Sequence, residues 1–281
     1  MLRRLSRATQ ALLLALLLTP CAPAWALKIE PDRGKPWRLQ LSGEIVPGDA
    51  ERLIRQLLES AADKPQLLTE LVLDSNGGNL AESFRLASMV YSLHLDTSVK
   101  SGGKCQSACF FVFIAGDRRL IAERPGGDRP GRIGLHRPYL GGDALKQGDP
   151  ASGMGRQQEE MAKTAEYLRR QGVPLRLIDE MMSHASNDIY WLNDEDLWLL
   201  GEFGAGLEEV LIARCGYDKR SATPAYERLL ASLPEPERSQ GQAKLAATAA
   251  CISSTRASFD ARREAFLARL KTGWRPWTVK P

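Results

Sequence analysis

The chain has 281 residues, of which 43% are hydrophobic and 26% are charged, and its formal net charge is +4. The first 26 residues contain three arginines and no acidic residue. The 38 basic residues less these three therefore leave 35, against 34 acidic residues. The rest of the chain is therefore nearly neutral. It has no basic patch in its sequence, which argues against nucleic-acid binding, and no acidic run, which argues against disorder.

The N-terminal segment has the three parts of an export signal. Its arginines lie within the first seven residues, an apolar run follows at 11–18, and residues 24–26 form a small-x-small cleavage site. The pattern predicts a signal peptide over residues 1–26, a mature chain beginning at Leu27 and export to the periplasm. Cys21 raises the alternative of a lipoprotein, but the proline before it fits a lipobox poorly. Membrane contact is expected only if the signal is retained.

Short apolar strands alternate with helices in the first half of the mature chain. Strands are predicted at 39–46, 71–73, 97–99, 120–122 and 132–135. Asp49 and Asn79 each precede an amphipathic stretch and are expected to cap a helix. Residues 107–115 are apolar on all sides, which is typical of a buried helix.

The second half begins with helices predicted at 157–170 and 175–183, a strand at 189–192 and a helix starting at Asp194. Strands alternating with helices indicate an α/β domain with parallel pairing. A glycine-rich stretch at 201–206 marks a boundary. We therefore expect an α/β domain over residues 27–205 and a small helical C-terminal extension over 206–281.

One serine has the surroundings of a nucleophile. Ser107 follows a glycine-containing turn and opens the apolar helix, so the next residue, Ala108, has an amide without an intrahelical partner. A predicted strand ends at Gly77 and Gly78, where the backbone can come close to a substrate. His136 follows another short strand. In this order the residues predict a nucleophile, an oxyanion hole formed by the amides of Gly78 and Ala108, and a histidine base.

Each of these residues also has a plain structural interpretation. Ser107 could only cap its helix, as serines often do, and His136 could only bond a carbonyl. His94 and His184 are rival bases, although neither follows a glycine-marked strand end. A cysteine next to the turn is a rival nucleophile. The combination of three motifs favours catalysis by Ser107.

Four cysteines remain after the signal, and an even number in an exported protein indicates disulfides. Of three pairings, the local one, Cys105–Cys109 with Cys215–Cys251, is the simplest; buried free thiols are the alternative. The first bridge would rigidify the turn at Ser107 or act as a redox switch on it. No cysteine and histidine spacing fits a zinc site, so no metal is expected.

The ordered motifs resemble those of the Clp protease proteolytic subunit, ClpP, and more broadly the ClpP/crotonase fold. The resemblance rests on Leu-Asp-Ser-Asn-Gly-Gly at 73–78, on Ser107 before an apolar helix that ends in Ala-Gly, and on Gly-Leu-His-Arg-Pro at 134–138. It covers roughly residues 39–201. The chain is most similar to exported ClpP-like proteins of bacterial periplasms, which carry cysteines around the serine.

The resemblance implies a spiral of ββα units and a Ser-His-Asp triad that hydrolyses peptide bonds without a cofactor. The family's serine and histidine match Ser107 and His136, its oxyanion donors match Gly78 and Ala108, and its aspartate falls near Asp188. Three nearby side chains are rivals for the acid: Asp179, Asn187 and Asp194. The helix at 157–170 would pack between the subunits of a homo-oligomer.

We therefore expect a periplasmic serine peptidase acting on peptides or unfolded proteins. An ATP-driven unfoldase partner is not expected, because the periplasm lacks ATP. The alternative is a catalytically silent binding or scaffold protein of the ClpP/crotonase fold, in which the glycine turn and the helix at Ser107 are only architecture. A crotonase that uses acyl-CoA is disfavoured, because CoA is scarce in the periplasm and the sequence has no adenine-pocket signature.

Overall fold

The structure is a computed structural model, and it describes residues 26–32, 34–63, 68–121, 130–139 and 150–278. Apart from Ala26, the predicted signal peptide lies outside the described residues, as does Ala122 of one predicted strand. Leu27, the predicted start of the mature chain, is buried in the core. Within the described residues, no helix combines the length and the apolar character needed to cross a membrane.

The described strands form one forked sheet. Their bounds are β1 Lys28–Pro31, β2 Arg38–Ile45, β3 Glu70–Gly78, β4 Asp96–Val99, β5 Lys104–Gln106, β6 Arg119–Ile121, β7 Arg132–Leu135 and β8 Tyr190–Trp191. One branch runs β1-β2-β3-β4-β6 and the other runs β3-β5-β7-β8. Only β1 and β8 are antiparallel to their neighbours. The fork lies within β3, whose residues 70–73 pair with β4 while Ser75 pairs with Cys105 of β5.

Helices connect and cover these strands. Their bounds are α1 Asp49–Asp63, α2 Leu80–Ser92, α3 Ala108–Ile114, α4 Pro150–Arg170, α5 Leu175–Ser183, α6 Asp194–Leu200, α7 Ala205–Cys215, α8 Pro224–Ser232, α9 Glu237–Ala257 and α10 Asp260–Lys271, with 3-10 turns at Lys219–Ala222 and Pro276–Thr278. Asn79 caps α2 by accepting the amide of Glu82, as its position predicted. Asp49 begins α1 as its first residue, and its carboxylate accepts the amide of Val46.

The centre of the core is α3. All seven of its residues are buried, as the apolar run predicted, and they pack among the leucines of β2, β3 and α2. At roughly 1.5–3 kcal/mol for each fully buried large apolar side chain, Phe110 and Phe113 make this helix a major source of stability. The serine in front of α3 is therefore attached to one of the most rigidly packed elements of the molecule.

The C-terminal helices dock onto the α/β part through two arginines. Arg256 of α9 donates to both carboxylate oxygens of Asp96 at 2.6 Å. Arg263 of α10 donates to the carbonyls of Leu93 and His94 at 2.8 and 2.7 Å. Burial raises the pKa of Asp96, although the charge of Arg256 opposes this shift. Residues of α10 also join the main hydrophobic core.

The α/β fold class predicted from the strand and helix pattern is confirmed. The structure adds β1 and β5, which are short and carry exposed residues, so neither forms an apolar run in the sequence. It also begins α4 at Pro150, seven residues before the predicted start. The charged and glycine-containing first turns of α4 lack the apolar spacing from which a helix is predicted.

Candidate active site

Ser107 lies between β5 and α3 in a strained backbone conformation. Its φ is 56° and its ψ is −129°, a combination that costs a non-glycine residue on the order of 1–3 kcal/mol. Main-chain bonds on both sides hold it there, because its amide donates to Gly134 at 3.0 Å and its carbonyl accepts from Phe110 at 2.9 Å. Its hydroxyl caps no helix amide. The interpretation of Ser107 as a simple side-chain cap therefore finds no support in the geometry.

A cysteine pair brackets this turn. Cys105 of β5 and Cys109 of α3 lie at disulfide distance, with Cα atoms 5.2 Å apart, and both are buried. The second predicted pair, Cys215 and Cys251, also lies at disulfide distance, between α7 and α9. Both pairings agree with the local pairing predicted from the sequence, and they fit an oxidising environment.

The two glycines at the end of β3 face the serine turn. A Cβ atom on Gly77 would lie 2.7 Å from the Cβ of Ser107 and 2.8 Å from the amide nitrogen of Ala108. The amide of Gly77 donates to the hydroxyl of Ser75, which leaves Gly78 as the candidate donor to an oxyanion. The sequence assigned this role to Gly78 but did not show why Gly77 must lack a side chain: the space in front of the Ala108 amide would otherwise be filled.

His136 is buried just beyond the end of β7. Its Nδ1 lies 2.8 Å from the carbonyl oxygen of Arg137. A carbonyl only accepts hydrogen bonds, so Nδ1 is the donor, and in a neutral imidazole this tautomer leaves the lone pair on Nε2. The loop is fixed further by a 2.9 Å hydrogen bond from the amide of Arg137 to the carbonyl of His184. Since Ser107 is hydrogen-bonded to Gly134, the serine and histidine backbones are tied to the same strand.

Within the described residues, Asp188 makes no hydrogen bond to His136. Its side chain is exposed, its amide donates to the carbonyl of Ala185 at 2.9 Å, and within the described residues its carboxylate makes no hydrogen bond or ion pair. Asp196, which the sequence did not single out, is a buried acid in the first turn of α6. It accepts from Arg176 and from the hydroxyl of Tyr190, and the bond from Tyr190 raises the pKa of that phenol.

The rival histidines have structural partners elsewhere. His94 lies 3.1 Å from a carboxylate oxygen of Asp117 and stacks on Phe259 at a centroid distance of 4.2 Å. His184 bonds the carbonyl of Glu180 at the end of α5. Neither is among the described residues that line the two cavities at Ser107.

Two cavities meet at Ser107. A larger one of about 480 Å³ and a smaller one of about 250 Å³ share Gly78, Ser107, His136 and Tyr139 in their linings. The larger is mostly apolar and includes Phe111. Sequence reasoning missed several lining residues: Leu80, Tyr139, Glu160 and Ser186. Leu80 and Tyr139 were detectable in principle, because they lie two and three residues after Gly78 and His136, but Glu160 approaches the site only through tertiary packing.

In the described part of the chain, no group of three or more histidine, cysteine and acidic side chains is arranged to hold a metal ion. At Ser107, a serine at a helix N-terminus, a buried histidine and a glycine turn line the same two cavities. Such an arrangement can attack a carbonyl carbon and stabilise the resulting oxyanion.

Neither a protein-family model nor a curated protein sequence matches this chain. Among solved structures, the chain is similar to ClpP1 from Listeria monocytogenes, with 17% identity and a TM-score of 0.39 over 57% of this chain and 85% of that one. A point mutant of the same protein gives 16% identity, a TM-score of 0.38 and the same coverage.

Proposed function

We propose that this chain is an exported serine peptidase with Ser107 as nucleophile and His136 as base. The observation that supports this most strongly is the strained backbone of Ser107. A φ of 56° at a residue that is not glycine persists only where the surroundings enforce it, and such strain is concentrated at functional sites. Here it places the hydroxyl where two cavities and a buried histidine meet.

In the proposed mechanism, the hydroxyl oxygen of Ser107 attacks the carbonyl carbon of a peptide bond while Nε2 of His136 takes its proton. The amides of Gly78 and Ala108 stabilise the oxyanion; loss of one such donor typically costs about 10²–10³-fold in kcat. His136 then protonates the leaving amine. Water activated by the same imidazole hydrolyses the acyl-serine, which restores the free hydroxyl.

In this proposal a backbone carbonyl, and not a carboxylate, orients the imidazole of His136. The Arg137 carbonyl already accepts from Nδ1, so it can hold the tautomer that the base requires. Asp188 stays the candidate acid from sequence, and it would have to displace this carbonyl to act. In Asp188→Asn, a loss of activity of about 10⁴-fold, as expected for a triad acid, would support the triad, whereas unchanged activity would support a Ser-His dyad held by the carbonyl.

The two cavities on either side of Ser107 suit an extended peptide that runs past the nucleophile. The apolar lining of the larger cavity favours an apolar side chain, with Glu160 at its margin. Peptides and unfolded segments are therefore the proposed substrates. We further propose a periplasmic location, from the signal pattern and the cysteine pairs, and a homo-oligomer, which light scattering of the purified mature chain would test.

The test of the function is labelling with a serine-reactive fluorophosphonate. Wild type should be labelled at Ser107, and Ser107→Ala should not. The control Ser232→Ala removes an exposed hydroxyl on α8 that only donates to the carbonyl of Leu229, so it should label as wild type does. Absence of labelling in folded, assembled wild type would overturn the peptidase proposal.

A second candidate is a catalytically silent binding module. It is favoured by one observation: in the described residues, no hydrogen bond joins Ser107 to His136. Peptide binding by wild type without labelling or hydrolysis, unchanged in Ser107→Ala, would support this candidate instead.

A further inference from the structure

A third cavity lies at the other end of α3 from the serine. Its volume is about 230 Å³, and it is open on one side and lined by the ends of α3 and α6, by β6 and by the 3-10 turn Lys219–Ala222. Because α3 has seven residues, this cavity is separated from Ser107 by roughly 10 Å along the helix axis. The peptidase mechanism does not use it.

The inner wall of this cavity contains a buried arginine with an unusual set of partners. Arg119 is 6% exposed, and it donates to three main-chain carbonyls: Ile114, Gln171 and Leu200. These carbonyls stand at the C-terminal ends of α3, α4 and α6, where helix dipoles favour a cation. Among the described residues, no carboxylate forms an ion pair with Arg119. Every direct hydrogen bond recorded for this guanidinium therefore goes to a main-chain carbonyl.

The hydrogen-bond count of this guanidinium is incomplete. An arginine side chain has five N–H groups, and four donate to the three carbonyls. One N–H on Nη1 has no partner within the described part of the chain. Burial lowers the pKa of Arg119 to about 10, so the side chain still carries its charge at neutral pH.

Two further donors line the same cavity. Tyr217 is 8% exposed, and its hydroxyl has no hydrogen-bond partner among the described residues; burial raises the pKa of this phenol to about 12, so it remains a donor at neutral pH. The ammonium of Lys219 lies 4.8 Å above the ring of Trp198. The acidic residue in the lining, Glu202, is held in an ion pair with Arg118. The cavity therefore has a net positive lining.

The remaining wall is apolar. Phe113, Ile121, Leu197 and Trp198 contribute to it, and Trp198 is 45% exposed at its mouth. We propose that this cavity binds a small carboxylate with an apolar body, with its charged group toward Arg119, Tyr217 and Lys219. The volume is below the roughly 300–1,000 Å³ of sites for drug-sized ligands. The ligand is thus comparable in size to one apolar amino acid.

Such a carboxylate can come from the C-terminal residue of a peptide or from a free organic acid. Calorimetric titration of the full chain with N-acetylphenylalanine and with decanoate distinguishes these sources. Binding of the first alone supports a peptide terminus, and binding of the second alone supports a free acid. The uncharged N-acetylphenylalaninamide should bind at least about tenfold more weakly than its acid, as expected for loss of a charge-assisted contact.

Two variants and a control test whether binding occurs in this cavity. Lys219→Ala should weaken binding about tenfold or more, and Ala222→Trp should fill the cavity and abolish binding. Lys35→Ala removes an exposed lysine from a loop remote from the cavity and should leave binding unchanged. Arg119→Lys is informative only if it folds, so the proposal rests on the other variants. Failure of both acids to bind, equal binding of acid and amide, or unchanged binding in Lys219→Ala and Ala222→Trp would overturn it. Peptidase activity plays no part in these readouts.

Discussion

Gly77→Ala is the most discriminating perturbation of the proposed active site. Its added methyl group would lie 2.7 Å from the Cβ of Ser107, 2.7 Å from the carbonyl oxygen of Gln106 and 2.8 Å from the amide nitrogen of Ala108. Two of these contacts are to backbone atoms, which cannot rotate away. The methyl group would therefore occupy the space in which the oxyanion would meet the Ala108 donor.

Gly77→Ala should lower both the free energy of unfolding and kcat, and the loss of stability has two parts. Gly77 has a φ of +91°, and a left-handed conformation costs a residue with a Cβ about 1–2 kcal/mol. The contacts add about 1–3 kcal/mol more, as overpacking does in other interiors. Blocking one oxyanion donor should lower kcat by about 10²–10³-fold.

Gly48→Ala is the matched control. Gly48 has a φ of +97°, and a Cβ atom there meets nothing within 4 Å. This variant carries the backbone cost without the contacts and without any change at the serine. Urea denaturation should show a loss of about 1–2 kcal/mol with unchanged hydrolysis, whereas Gly77→Ala should lose more stability and most of its fluorophosphonate labelling rate. A folded Gly77→Ala protein that labels as fast as wild type would refute this account of the oxyanion hole.

Three further predictions concern catalysis, the cysteines and pH. Ser107→Ala and His136→Ala should each abolish hydrolysis, and the double variant should be no less active than either single one; additive losses would indicate separate roles. The stability of Ser107→Ala should change by less than about 1 kcal/mol, because the Ser107 hydroxyl caps no helix amide. Replacing the Cys215–Cys251 pair by serines should cost about 4 kcal/mol of stability in the chain-entropy model and loosen the C-terminal helices, which thermal melting would show. Replacing Cys105–Cys109 by serines should cost about 2 kcal/mol and mainly slow fluorophosphonate labelling, which labelling kinetics would show. Burial raises the pKa of Asp49 in the folded state above its ordinary value of 3.8. Between the unfolded-state and folded-state pKa values the folded protein binds more protons, so the free energy of unfolding falls as pH rises. Asp49→Asn keeps a hydrogen-bond acceptor but cannot titrate, so urea titrations from about pH 4 to pH 7 should show wild type losing stability relative to the variant across that window; a constant difference would contradict the raised pKa.

The sequence by itself indicated the α/β class and the buried helix after Ser107, and it made the local cysteine pairing the simplest of three. These features depend on local information. Apolar spacing indicates which residues form strands or helices, and the continuous apolar run after Ser107 indicated a buried element. The two cysteine pairs lie close along the chain or within one helical region, which made the local pairing the simplest one.

Only the tertiary structure decided what surrounds Ser107. Its positive φ comes from a hydrogen bond to Gly134 on another strand, and the need for Gly77 appears only when β3 lies against the turn. The partner of His136 Nδ1 is the backbone carbonyl of Arg137, which no side-chain motif predicts, while Asp188, placed near the histidine by resemblance, has an exposed side chain. Arg119 is one of many arginines in the sequence, and it becomes a buried cation because three helices end at the same point. The sequence specifies which reactive side chains are present, but the distances between them in a site depend on contacts between segments far apart in sequence.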